Sequence, residues 1–420
     1  MTTCSPDTQA TLLLLDRSLP GLDQAPPLTP REWIAVRERL AAQQQHPSAL
    51  LQLSATEQIH FATAIGLIPE RLQARLAAGM TLGLALQEWG GQGIWVIGVD
   101  DPAYPARLSQ RLGIKAPPLL YGAGHVDLLQ LEGLAIVGAR DASEGALTFA
   151  NDLAARATAE GLAVISGGAR GIDAEAMAGA LDAEGTVVGV LSCDLARSAL
   201  SRDLRRHLTG GSLALCSPYH PKAGFTPDGA MRRNKIVYAL SVAAVVVESA
   251  EGSGGTWEGA KENLAGGWVP LWVWSESAAP GNPALIRRGG HPLARTDIAG
   301  LASLRDRLAA PVPVMAPSVA PAVEDSGTPL DVFALVWASL APWLATPRTE
   351  AEIGARLINV EKSQVKAWLK QAVTSGLLVK HSKPVRFATP AAAPPPADPQ
   401  LRLLAEPAAP VKAPRKRRSA

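Results

Sequence analysis

The chain is 420 residues long and nearly neutral, with 40 Lys and Arg against 38 Asp and Glu and a formal net charge of +2 at pH 7. That balance excludes a histone-like polycation, and 47% hydrophobic with 19% charged residues excludes a wholly disordered chain. The length calls for roughly two to four domains of about 100–200 residues, and 34 Pro with 38 Gly point to linkers between them.

From about Thr8 to Gly90, apolar residues recur at helical spacing, with a Pro-rich break over Gly21–Pro30 before Trp33, Val36, Arg37 and Leu40. This predicts an N-terminal all-α domain over residues 1–95. It holds no clustered His, Cys or carboxylates, so its expected role is packing or docking. The apolar run Thr11–Leu15 is too short to span a bilayer and lacks a basic lead and a small-residue cleavage site. No membrane association and a cytoplasmic location are expected. Cys4, Cys193 and Cys216 form no Cys-x-x-Cys pair, which fits core thiols in a reducing compartment.

Six aliphatic runs then alternate with Ala-rich helical stretches: Leu134–Gly138, Leu162–Ser166, Thr186–Leu191, Ser212–Cys216, Val242–Glu248 and Trp268–Trp274. Their nearly continuous apolar character is that of strands covered on both faces. The fold class is α/β, with a Rossmann-like doubly wound parallel sheet core over residues 96–310. Residues 311–329 have the Pro/Ala composition of a linker. Helical patterns at Leu330–Leu340, Thr349–Leu357 and Lys362–Ser375, followed by two short apolar runs ending at Phe387, predict a C-terminal winged helix over 330–388. Residues 389–420 are a Pro/Ala-rich segment closing on Lys412, Arg415, Lys416, Arg417 and Arg418, a disordered basic tail by composition. Removing those five charges from the net +2 leaves residues 1–406 at −3, so any polyanion binding by the folded part would rest on a few positioned cations and loop amides.

Three strand ends carry glycine turns: Gly138-Ala139-Arg140-Asp141-Ala142-Ser143, Ser166-Gly167-Gly168-Ala169-Arg170-Gly171-Ile172-Asp173, and Gly252-Ser253-Gly254-Gly255-Thr256. Carboxyl ends of parallel strands converge on one crevice. There glycine admits close anion approach, helix N-termini present free N–H groups, and Arg140 and Arg170 suit phosphate. The alternative is that the glycines serve only tight turns and that Arg170 pairs with Asp173. A fourth feature, Met231-Arg232-Arg233-Asn234-Lys235-Ile236-Val237, starts a helix with several phosphate-directed cations; its alternative is a solvated basic face balanced by Asp203 or Glu248. No Gly-x-Gly-x-x-Gly follows the first strand, no Gly-Lys-Ser/Thr closes a loop, and no Gly-x-Ser-x-Gly occurs. His207, His220 and His291 are isolated, so neither a cofactor nor a metal site is expected.

In this order the segments resemble the DNA-processing protein A (DprA/Smf) family, from about Asp100 to Leu293. The matching residues are Asp101-Pro102-Ala103-Tyr104-Pro105 with Ala116-Pro117-Pro118-Leu119-Leu120-Tyr121-Gly122, Ile136–Arg140 with Ser143, Ser166–Asp173, Arg233–Val237 with Leu240-Ser241, and Ser253-Gly254 with Pro280-Gly281-Asn282. Ala139 stands where the family has Ser, and Met177 where it has His. Val190–Leu195 lacks the family's Gly and following Tyr-Pro, and Ser253–Glu258 departs from its Ser-Gly-Ser-Leu form. The resemblance implies a non-catalytic protein that binds single-stranded DNA, forms a homodimer and loads the RecA recombinase during natural transformation. It carries the DNA-binding role to Gly138, Arg140, Ser143, Ser166, Gly167, Arg170, Gly171, Arg233, Asn234 and Lys235. On the winged helix, Lys362, Ser363, Gln364, Lys366 and Lys370, with Lys380, His381 and Lys383 at the wing, suit a duplex groove.

Two other readings stay open. Gly254-Gly255-Thr256-Trp257-Glu258 partly imitates the motif of LOG-like nucleoside monophosphate phosphoribohydrolases, in which Glu258 or Glu262 would stabilise an oxocarbenium ion. A nucleotide-sensing module, with the crevice holding a small signal, is the other.

Overall fold

The computed structural model describes residues 4–300, 303–308, 333, 336–337, 340–341, 343–357, 362–382 and 385–389. The expected linker at 311–329, the expected tail beyond Thr389 and the wing residue Lys383 lie outside the described residues. The chain divides into two compact units, Met1–Val319 and Ala320–Ala420.

The first unit opens with helices α1 (Pro6–Leu15), α2 (Pro30–Ala42), α3 (Ala55–Ala64), α4 (Pro69–Leu76) and α5 (Gly79–Gly91). Local chemistry sets their starts. Thr29 accepts from the Glu32 N–H at 3.3 Å while the Glu32 carboxylate accepts from the Thr29 N–H at 2.7 Å, and Ser54 and Glu57 repeat this reciprocal cap. Pro30 and Pro69 occupy first positions, where a missing N–H costs nothing. Leu14, Val36, Leu40, Leu50 and Leu72 form a core of their own. Buried beside them, the Arg75 guanidinium donates to the carbonyls of Leu13 at 2.5 Å, Ala25 at 3.2 Å and Asp16, so each nitrogen of a costly buried charge has a hydrogen-bond partner. The helices also share the core of the sheet through Leu12, Leu13, Leu82 and Trp89. Two carboxylates add polar ties: Asp101 accepts from Thr8 Oγ1 at 2.6 Å, and Asp16 from the Tyr121 hydroxyl at 3.0 Å.

Strand β1 (Ile94–Gly98) begins inside the stretch expected to be helical. It is followed by α6 (Ala106–Leu112), β2 (Leu119–Gly124) and β3 (Gly133–Val137), then α7 (Glu144–Ala159), β4 (Ala163–Ser166), α8 (Ile172–Asp182) and β5 (Val187–Val190). Next come α9 (Leu195–Ala199), α10 (Arg202–Gly210), β6 (Leu213–Ser217), α11 (Pro227–Leu240), β7 (Ala243–Val246), α12 (Gly255–Gly266) and β8 (Leu271–Trp274). The unit closes with α13 (Gly281–Arg287), β9 (His291–Leu293), α14 (Arg295–Ala299) and α15 (Leu304–Leu308).

Among the described residues these strands form one sheet in the order β1-β2-β6-β5-β4-β3-β7-β8-β9. All six predicted runs are strands. The expected parallel sheet is corrected at one edge, where β2 pairs antiparallel with both β1 and β6. The link from β1 to β2 carries the seven-residue α6, and β2 returns antiparallel to β1. Side chains alternate between the two faces: Leu134, Ile136 and Val164 meet α7 and α8, whereas Ala135 and Ile165 lie in a second core with α11 and α12. Helices therefore cover both faces, as in a doubly wound Rossmann-like fold.

From β3 the chain winds outward through β4, β5 and β6, then crosses to β7 on the other side of β3. The direction of winding reverses between β3 and β7, which is where such sheets open a ligand crevice beyond their carboxyl ends.

The second unit holds a helix at Glu350–Arg356, capped reciprocally by Thr349 and Glu352, a helix at Lys362–Thr374, and an antiparallel hairpin of Val379–Ser382 with Val385–Ala388. Leu344, Ile353, Val365, Leu369, Ala372 and Phe387 form its core. Ser363, Gln364, Lys366 and Lys370 are exposed, as are Lys380 and His381.

Candidate nucleic-acid interface at the sheet switch point

The three glycine turns meet, and backbone contacts join them. The Ile172 N–H donates to the Ala139 carbonyl at 3.2 Å, and Thr256 Oγ1 donates to the Gly138 carbonyl at 2.9 Å. A Cβ on Gly171, whose φ is +79°, would stand 2.4 Å from the Ala139 oxygen and 2.5 Å from that of Arg140. Only glycine allows that positive φ and close approach. Asn234 adds a third hydrogen bond by donating from Nδ2 to the Gly255 carbonyl at 2.9 Å.

Much of the hydrogen-bonding capacity of these turns is used inside the protein. The buried Asp173 carboxylate accepts from the Gly167 N–H at 3.1 Å and from the amides of Gly138 and Ala169. Burial pushes its pKa up, against the opposing pull of Arg233 and those three amides. Ser166 is fully buried and donates to the Ile136 carbonyl at 2.6 Å. Ser143 caps α7 by accepting from the Ala146 N–H, and donates to Glu248 Oε2 at 2.7 Å. Arg233 is 4% exposed and donates from Nη1 to the Val190 carbonyl at 2.7 Å. Burial lowers its pKa, with Asp173 opposing. Thus Ser143, Ser166, Gly167 and Arg233, all expected to face phosphate, are turned to internal partners. The weighed Arg170–Asp173 pair is also corrected: Asp173 is buried beside Arg233, and Arg170 approaches Asp141 instead, at 3.5 Å.

What remains open to a ligand is compact. Arg140 is exposed and Arg170 is 79% exposed, with the Arg170–Asp141 contact long and solvated and therefore weak. Gly254, φ +90°, stands at the cap position before helix α12, which no side chain caps, behind the exposed loop residues Gly252 and Ser253. Its first amides lack intrahelical partners and carry the positive end of the helix dipole. Phe225, 49% exposed, lies 5.1 Å from the Arg140 guanidinium. The sequence reading missed Phe225, for which a lone aromatic in the otherwise small and polar Ala-Gly-Phe-Thr-Pro loop was the available signal. Lys235 stands apart from this group, on a different face of α11 with Arg232 and beside Lys115.

Glu258, the acid weighed for glycoside cleavage, pairs with Lys261 of its own helix at 3.0 Å, and Glu262 is exposed. Among the described residues no group of three His, Cys, Asp or Glu is placed to hold a metal, and no helix is long and apolar enough to cross a membrane. All three cysteines are free, and burial pushes the Cys216 thiol up to about 12.

The sequence over residues 95–298 matches the family of DNA recombination-mediator protein A. Residues 95–298 are a DprA/Smf-family region of the chain. It is 34% identical over 186 residues to DNA processing protein DprA of Mycobacterium tuberculosis, a match spanning 42% of this chain and 46% of that one. It is 32% identical over 165 residues to protein Smf of Synechocystis, spanning 37% of this chain and 40% of that one. The chain thus spans under half the length of these curated relatives. The crystal structure of DprA from Streptococcus pneumoniae superposes with a TM-score of 0.52 at 20% identity, covering 70% of this chain and 97% of that one, so the DprA fold is shared. The segments quoted for the DprA resemblance fall within the matched range. Two of their buried members are held by internal hydrogen bonds: Tyr104 donates to the Pro117 carbonyl at 2.8 Å, and Asn282 bridges the Val247 and Trp274 carbonyls at 2.8 Å each while accepting from the Ser249 N–H at 3.0 Å.

Proposed function

We propose that the switch-point crevice binds the backbone of single-stranded DNA and that the protein is a recombination mediator. The observation that carries this reading is the pair of exposed arginines, Arg140 and Arg170, beside the uncapped N-terminus of α12, with Phe225 under Arg140. Guanidinium groups and helix-end amides suit phosphate oxygens, and an exposed ring suits an unstacked base. None of these groups reads a base edge, so weak sequence preference is expected.

The family resemblance extends the proposal to a homodimer that loads RecA onto incoming DNA, in the cytoplasm, without catalysis. The helix Lys362–Thr374 and its hairpin are proposed as a winged helix touching duplex DNA, supported by the exposed Lys366, Lys370 and Lys380. Glu258 is engaged by Lys261 on its own helix, which favours binding over hydrolysis at α12.

The test is a gel shift of a single-stranded oligonucleotide with wild type and the R140A/R170A variant. Loss of the shifted species in a folded variant is expected, and undiminished binding would remove the crevice from the reading. Deleting residues 330–420 separates the second unit: unchanged duplex affinity would sink its proposed role.

A further inference from the structure

The first unit holds a second basic site that the crevice does not use. A groove of about 770 Å³ runs between α2 and α11. Trp33, Ile114, Pro117, Pro218 and Tyr219 line it, with Arg232 and Lys235 entering from α11 and Lys115 from the segment before β2. The Tyr219 ring is fixed by its hydroxyl, which donates to the Gly229 carbonyl at 2.9 Å.

The charges along the groove do not balance. Arg37 is spent on Asp100, and its guanidinium lies 5.9 Å from the Trp33 ring. Among the described residues, neither Lys115 nor Lys235 has an ion-pair partner, and Arg232 holds only the exposed Asp228 on its own helix, at 3.0 Å. Lys235 is half-buried. Desolvation lowers its pKa, Glu262 opposes this, and Lys115 and Arg232 lower it further. Three cations therefore crowd one wall, and Glu38 is the lone unpaired carboxylate among the groove's lining residues.

We propose that this groove binds a nucleotide, with phosphate on Lys115, Arg232 and Lys235 and the base against the aromatic and proline wall. The size falls within the roughly 300–1,000 Å³ of small-ligand sites, and a flat apolar wall with a few convergent charges is their usual composition. A nucleoside phosphate carries both halves of that complementarity, whereas an acidic peptide would leave the apolar wall uncovered. The same chemistry is offered by a free nucleotide or by one unit of a strand. The inference does not rest on the crevice reading.

The test is calorimetric titration of the full chain with deoxyadenosine monophosphate, a short oligodeoxyadenylate and an oligoglutamate peptide. It is repeated on K115E/R232E, both exposed positions, with folding checked by circular dichroism, and on R140A/R170A. The expected result is that K115E/R232E weakens nucleotide binding about tenfold or more, since two charge-assisted contacts become repulsive. A loss for both nucleotide probes assigns a free-nucleotide site, and a loss for the oligonucleotide alone assigns a strand contact. Unchanged binding of both by folded K115E/R232E, no nucleotide binding by wild type, or oligoglutamate binding as tight as the nucleotides overturns the inference. A loss in R140A/R170A with none in K115E/R232E leaves the crevice reading standing without the groove. The converse leaves the groove without the crevice.

Discussion

Arg233 and Asp173 both stand against the backbone of Gly167. A Cβ there would lie 1.7 Å from Arg233 Nη1 and 2.6 Å from Asp173 Oδ2, so the second glycine turn is built between two buried opposite charges that act on each other without a direct ion pair. Gly167→Ala must push that pair apart, and a loss of about 1–3 kcal/mol is expected in urea unfolding, as for overpacked cores. Arg233→Ala leaves Asp173 buried without its counter-charge, and about 3–5 kcal/mol is expected to be lost. DNA affinity lost in an Arg233 variant therefore reports damage to the turn. Unchanged stability in either variant would show that the pair is not packed as described.

Ser143 gives a second separation of stability from binding. Its side chain accepts from the Ala146 N–H at 3.3 Å and donates to Glu248, which makes it a helix cap tied to the segment that follows β7. Ser143→Ala should lower the unfolding free energy by about 1 kcal/mol, the usual cost of a lost cap, with little change in oligonucleotide affinity. A large affinity loss at unchanged stability would return Ser143 to the ligand.

These two residues show where the sequence was legible and where it was not. The central strands were readable because runs such as Val242–Glu248 are apolar on both faces, and the convergence of the glycine turns followed from parallel topology. A glycine turn looks the same, however, whether its amides face a ligand or an internal carboxylate, so the sequence shows Asp173 as part of a motif and does not show the three amides it accepts from. Arg233 carried a usable signal. It lies four residues before Val237 and seven before Leu240, on the buried stripe of α11, while Arg232 and Lys235 share another face at a spacing of three. β1 and β2 escaped because their antiparallel pairing lies outside the alternating strand-and-helix pattern that identified the rest.

Arg140 and Phe225 divide the proposed DNA contact into charge and stacking. Removing one phosphate-bound cation should reduce the log–log salt slope on single strands by about 0.7. Arg140→Ala is expected to do this, measured by fluorescence anisotropy across a salt series. Phe225→Ala should cost about 1–3 kcal/mol of affinity and leave the slope unchanged, because a neutral ring releases no counterion. A changed slope for Phe225→Ala would place a charge, not a base, on that ring.

Glu160 links stability to pH at the other end of α7. Its carboxylate accepts from the N–H groups of Leu304 at 2.7 Å and Arg305 at 2.9 Å and from Ser303 Oγ at 3.0 Å, and it pairs with Arg156 at 2.8 Å. Burial alone would raise its pKa, but these four donors outweigh it and hold the carboxyl at about 2, below its ordinary 4.5. Because the folded value is depressed, the stabilisation is fully present above about pH 4.5 and is lost as pH falls from there through about 2. The contribution is on the order of 2–3 kcal/mol. Glu160→Gln should therefore destabilise the protein at pH 7, and the gap between variant and wild type in urea unfolding should narrow as the pH is lowered through that window. A gap that stays constant with pH would mean that Glu160 acts through its shape alone and that its charge does not hold α15 against α7.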